Sequence, residues 1–153
     1  MTRTAARELA VQFCYRLSVK GELSPDALES FFQPEYYETL SAEGEPFSQK
    51  PDEKQLAYIK DVTLGVAAHL EELDGFVEKY AVGWKPERIS KTALAVLRVA
   101  MYEIRCVADV PVSAAINEAV ELAKGYDEPE TVAFINGVLG AFVRGEGISD
   151  AEG

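Results

Sequence analysis

The stretch that most restricts the fold lies between Ser90 and Cys106. It carries Leu94, Leu97, Val99, Ala100, Met101 and Ile104 with no break and no strand-like alternation. A helix this apolar cannot lie on a surface, so it has to sit at the centre of a bundle, with other helices around it. Ser90 is a ready capping residue at its start. Arg98 interrupts the run between Leu97 and Val99, and a guanidinium in such surroundings needs an acid. Glu103 and Glu118 are the candidates near in sequence.

The other segments supply the surrounding helices. Residues 4–20 place Ala6, Leu9, Ala10, Phe13 and Leu17 at three- and four-residue steps, with Thr4 or Thr2 as cap and Gly21 as the stop. Ser24-Pro25-Asp26 opens a short helix over Ala27, Leu28, Phe31 and Phe32. Residues 34–51 hold Pro34, Gly44, Pro46 and Pro51 among acids and read as an acidic loop. Asp52 starts a long helix with Leu56, Ile59, Val66 and Leu70 on its buried side. A break near Leu70–Asp74 separates it from Phe76, Val77 and Tyr80. Val82-Gly83-Trp84-Lys85-Pro86 is a turn, and Asp109-Val110-Pro111 is a second boundary. Ile116, Ala119, Val120 and Ala123 form the next helix, which Gly125 ends. Residues 130–143 form the last helix, with Val132, Ile135, Val138, Leu139 and Phe142 apolar. The tail from Gly145 is polar and expected to fray. The fold class is all-α, with roughly seven helices.

Charge is unevenly spread. The 153 residues carry a net charge of −11, which excludes a uniformly basic nucleic-acid binder. Residues 1–20, however, hold Arg3, Arg7, Arg16 and Lys20 against Glu8 alone. Residues 106–153 hold two basic groups against nine acids. The basic first helix is either a solvated face or an arm that contacts RNA or another anion. Arg3 and Arg7, four residues apart, share one face of it.

Catalytic chemistry is hard to assemble from these residues. His69 has no Cys or His cluster around it, so neither a metal site nor a general base follows. Cys14 and Cys106 each sit in an apolar helical pattern and read as buried thiols. No glycine-rich loop lies between a strand and a helix, so no cofactor is expected. No apolar run reaches the ~18 residues of a membrane span, and the N-terminus lacks a signal-peptide core. Both point to the cytoplasm. Asn136-Gly137 falls inside the last helix, where glycine costs ~1 kcal/mol relative to alanine. Close helix packing with an internal hydrogen bond is the plain explanation.

Four blocks of the sequence are nevertheless distinctive: AARELAVQFCY (5–15), VLRVAMYEI (96–104), DVPVSAAINEAVELAK (109–124) and FINGVL (134–139). In this order and at these separations they resemble the NusB family of bacterial transcription antitermination factors. The resemblance spans most of the chain except residues 21–53 and the tail. It implies one helical domain over residues 1–145, built of two small antiparallel sub-bundles, about 1–81 and 84–145, followed by a polar tail at 146–153. It also implies a function without catalysis. Members pair with NusE, a small-subunit ribosomal protein. The pair holds a single-stranded boxA element of nascent ribosomal RNA transcripts near the elongating RNA polymerase, which suppresses premature termination.

Carried over by position, the resemblance places RNA contacts at Arg3, Arg7 and Gln12 in the first helix, and at Lys124, Tyr126 and Phe134 further on. Tyr15 falls at the NusE-facing side. The aromatics would stack unpaired bases and Lys124 would meet a phosphate. For Phe134 a core role is equally open. The departures are a thinner arginine arm, Ala93 where an acid is common near the partner contact, and Gly140 where Asp is usual. A protein-interaction module of the same fold with little RNA affinity is the competing reading. An RNA cytosine methyltransferase fusion would need a cofactor domain beyond Gly153.

Overall fold

The structure, a computed structural model, describes residues 2–20, 26, 29–30, 33, 51–84, 88–107 and 109–149. Six helices and no strand occur among the described residues: α1 (Arg3–Lys20), α2 (Glu53–Ala68), α3 (Leu70–Tyr80), α4 (Lys91–Cys106), α5 (Val112–Lys124) and α6 (Pro129–Gly145). The all-α expectation holds, and the described residues of the helix expected after Ser24, at positions 26 and 29–30, are helical as well. Most of the expected helix after Ser24 and of the acidic loop lies outside the described residues. Among the described residues no helix is long and apolar enough to cross a membrane.

Local hydrogen bonding accounts for the helix starts. Thr2, the second of the two capping candidates, accepts from the Ala5 amide at 3.0 Å. Asp52 accepts from the Gln55 amide, and Gln55 returns the favour to the Asp52 amide, both at 2.9 Å. This reciprocal box satisfies two orphan donors of α2. Ser90 accepts from the Ala93 amide at 3.1 Å and opens α4. Pro111 and Pro129 stand at the starts of α5 and α6, where a missing N–H costs nothing. The break between α2 and α3 comes at His69, one residue before the expected stretch.

The chain divides into two compact units, Met1–Ala68 and His69–Gly153. In the first, α1 packs along α2. The buried residues of α1 include Ala6, Leu9, Ala10, Val11, Phe13 and Cys14, an arc wider than one stripe. In the second, α4 packs against α3, α5 and α6, so the helix with the uninterrupted apolar run is enclosed by the others as expected, and α6 likewise meets α3, α4 and α5. Ten of its residues are buried.

Several contacts within the second unit depart from the sequence expectation. Arg98 is gripped by Asp74 of α3 through two parallel bonds, Nε to Oδ1 at 2.8 Å and Nη2 to Oδ2 at 2.9 Å. Asp74 lies 24 residues away and was not among the acids considered. Cys106 is exposed rather than buried, because it is the last residue of α4 and the packing ends before it; Cys14 is buried as expected. Gly137 faces open space, with no atom within 4 Å of where a Cβ would stand, so close helix packing does not explain it. Glu146, expected in a fraying tail, is instead tied down. The Tyr80 hydroxyl donates to its Oε2, and Lys79 Nζ reaches the same oxygen at 2.9 Å. Gly145 makes this closure possible: the Tyr80 ring lies over it where a side chain would project.

Candidate nucleic-acid interface

The candidate residues fall in both units. In the first unit they lie on α1. That helix has no acid in its first turn, so the partial positive charge of its N-terminus is uncompensated locally. Arg3 adds a full charge there. Its guanidinium lies over the Tyr58 ring of α2, 4.4 Å from the centroid. Stacking of this kind fixes the plane of a guanidinium while its N–H donors point outward in that plane, the geometry that suits a phosphate. Arg3 is exposed. The combination makes the start of α1 a local anion-attracting point on an acidic protein.

Arg7 is different. Only 5% of its surface is accessible. Positions 7, 11 and 14 follow each other at helical spacing, and Val11 and Cys14 are both buried. The face that Arg3 shares with Arg7 therefore runs into the packed part of the helix one turn on. Arg7 is engaged within the protein. Gln12 and Tyr15 are half-buried on the same helix.

In the second unit, Lys124 ends α5 and Tyr126 follows it in the turn. Lys124 Nζ lies 2.7 Å from Glu121 Oε1, one helical turn back. Both side chains are well exposed, and such a pair is held weakly enough to exchange for another anion. Tyr126 is 40% exposed, one of only two large apolar or aromatic side chains so open among the described residues. Phe134 is 9% exposed. Its ring lies against that of Trp84, with centroids 4.3 Å apart and planes tilted by 39°. Trp84 is half-buried and so is the outer ring of this pair. Sequence reasoning passed over it as part of a turn. A lone tryptophan beside a glycine turn was the available signal. Ala93 is fully buried in the first turn of α4 and presents no surface.

Lys124 also stands on the rim of a groove of about 500 Å³ between α5 and α6. Val120, Pro129, Val132 and Ala133 supply its apolar lining, with Asp127 and Asn136 beside Lys124. Burial pushes the Asp127 carboxyl above its ordinary range, and contact with the Ser90 hydroxyl, 3.4 Å from Oδ1, opposes that shift. Its other oxygen is buried with no hydrogen-bond partner among the described residues. The neighbourhood is acidic: residues 107–143 hold one basic group, Lys124, against six acids.

Known proteins resemble this chain in both sequence and fold. The sequence pattern of the NusB family matches residues 4–144. The transcription antitermination protein NusB of Thermoanaerobacter sp. (strain X514) is 40% identical over 152 residues, covering 99% of this chain and 97% of that protein. Among solved structures, NusB of T. maritima superposes with a TM-score of 0.76 at 23% identity, covering 94% of this chain and 92% of that one. A chain of a crystal structure of the antitermination factors NusB and NusE in complex with dsRNA gives a TM-score of 0.73 at 23% identity. There the coverage is 94% of this chain and 96% of that chain.

Proposed function

The chain belongs to the NusB family, and from that membership we propose that it is a transcription antitermination factor working in the cytoplasm. In this reading it binds a boxA-type element of nascent ribosomal RNA together with NusE, brings the transcript to the elongating polymerase, and catalyses nothing. The observation that carries the proposal is the 40% identity, over 99% of this chain, to a transcription antitermination protein NusB. Support of a physical kind comes from α1, where a helix N-terminus with no acid in its first turn and the exposed, stacked Arg3 concentrate positive charge.

The proposed RNA contacts are Arg3, Arg7 and Gln12 on α1, and Lys124, Tyr126 and Phe134 in the second unit. Tyr15 is the proposed NusE contact. Burial divides the RNA set. Arg3 meets phosphate directly, whereas Arg7, at 5% exposure, supports the arm from inside. Tyr126 is the open stacking surface, and Phe134 contributes behind Trp84. Two sub-bundles, about 1–81 and 84–145, are the proposed division of the domain.

A second reading is favoured by the sparse positive charge: a partner-recruiting module with little affinity of its own for RNA. Arg7 is buried, and Lys124 is the one basic group among six acids in residues 107–143. Fluorescence anisotropy of a labelled boxA-like strand separates the two. The titration is done with and without NusE, at two salt concentrations, with single- and double-stranded forms. The first reading expects NusE to tighten binding of the single strand. Arg3→Ala then weakens it and flattens the log–log salt dependence by about 0.7, the share of one phosphate contact. Absence of RNA binding with NusE association intact would leave the second reading.

A further inference from the structure

The link between α3 and α4 is fixed at both ends against the part of the second unit that holds the proposed RNA residues. At its start the Trp84 amide donates to the Ala81 carbonyl at 3.1 Å, and Gly83 takes a left-handed φ of 85° that turns the chain there. At its end Ile89 is buried, and the Ser90 hydroxyl lies 3.4 Å from Oδ1 of Asp127, the residue after Tyr126. One end of the link therefore meets Phe134 of α6, through Trp84, and the other meets the turn that follows Lys124.

The Trp84–Phe134 pair leaves one place for a further ring. Its centroids are 4.3 Å apart. Two rings with a base between them stand about 7 Å apart, since each stacked contact takes about 3.5 Å. No base enters between these two. Phe134 is 9% exposed, and Trp84 lies over it. The half-buried indole has Phe134 against one face, so the surface it offers is on its other side. Backing by a second ring restrains the indole, which lowers the entropy cost of stacking on it.

Charge favours a base over an apolar side chain as the occupant. From Trp84 to Ser90 the sequence holds Lys85 and Arg88 against Glu87, and Arg88 is exposed. Lys124, also exposed, ends α5 just before the turn that Ser90 touches. Aromatic rings interleaved with cations suit a single strand, whose bases stack while its phosphates meet the cations.

We propose that Trp84 is a base-stacking residue: the indole face turned away from Phe134 takes one unpaired RNA base, and Phe134 backs the indole without touching a base itself. This role rests on the RNA-binding reading above and adds to it a residue outside the set already named.

Trp84 is the only tryptophan of the chain, so its fluorescence reports on this one ring. The test uses the full chain with NusE and a boxA-like single strand, with the Trp84→Phe variant and NusE as the blank. The strand is expected to quench Trp84 emission, and replacing its nucleotides one at a time by abasic ones should remove the quench at one position. By anisotropy, Trp84→Leu, which keeps an apolar cover over Phe134, should weaken binding at least about fivefold. It should leave the salt slope unchanged, because no phosphate contact is lost. That loss should vanish with the strand that is abasic at the quench-removing position. Binding with Trp84 emission unchanged would overturn the proposal and leave the RNA-binding reading standing. So would a Trp84→Leu loss that is the same for every abasic strand, which a merely structural role predicts. An emission change on adding NusE that RNA does not extend would assign Trp84 to the protein partner instead. Absence of RNA binding altogether would remove the proposal together with the reading beneath it.

Discussion

Two glycines of α6 should respond in opposite directions to the same substitution. Gly137 lies inside the helix, and a Cβ built there meets nothing within 4 Å. Gly137→Ala therefore adds no strain and removes the backbone-entropy cost of glycine. It should stabilise the protein by about 1 kcal/mol. For a chain of this size that raises the melting temperature by roughly 2–4 °C. Gly145 ends the same helix. A Cβ there would stand 2.7 Å from Tyr80 Cζ and closer still to Cε1 and Oη. The ring has little room to yield, because it packs edge-on against Phe142 at 6.0 Å and its hydroxyl is bound to Glu146. Overpacking of this kind costs about 1–3 kcal/mol, and the last helical turn gives back little through propensity. Urea unfolding followed by circular dichroism at neutral pH measures both variants. A midpoint for Gly145→Ala equal to or above that of Gly137→Ala would refute the reasoning, since open space and a blocking ring would then have had the same effect.

The Lys79–Tyr80–Glu146 cluster makes stability depend on pH. The Tyr80 hydroxyl first, and Lys79 second, hold the Glu146 carboxyl below its ordinary value of 4.5. A depressed carboxyl stabilises above that ordinary value and loses its contribution as pH falls through the lower folded value. The difference in urea midpoint between the protein and Glu146→Gln should therefore shrink between pH 6 and pH 3, and a constant difference would exclude the cluster as its source. Thr63 is fully buried, and its hydroxyl oxygen has no hydrogen-bond partner among the described residues. Thr63→Val should stabilise by about 1 kcal/mol in thermal unfolding, and a lowered melting temperature would mean that the hydroxyl is satisfied after all. Removing the two-pronged grip on Arg98 by Asp74→Ala should cost about 1–2 kcal/mol, with Asp74→Glu recovering part of it. A loss below the error of the measurement would show that other groups hold Arg98.

How far the sequence could be read follows the range of the forces involved. Asp52, Ser90 and Pro111 marked helix starts correctly because capping bonds and missing amides act within about three residues. The apolar run after Ser90 identified the central helix because no surface position suits it. The proposed RNA residues were reached through four familiar blocks rather than through their chemistry, since a few arginines and aromatics on an acidic chain have no unique meaning alone.

What remained illegible depended on pairs far apart in the chain. Asp74 for Arg98, the Tyr80 ring above Gly145 and Trp84 against Phe134 are meetings that no local pattern encodes. The buried arc of α1 is broader than its periodicity suggested, and so took in Arg7 as well as the apolar stripe. Cys106 is exposed because the packing stops before the end of α4, and Gly137 faces outward because no described residue comes within 4 Å of its Cβ position. Helix, cap and family are properties of short stretches and their order, so the sequence alone determined them. Which side chain is buried, paired or left open depends on where a second helix comes to rest, and only the tertiary structure decided that.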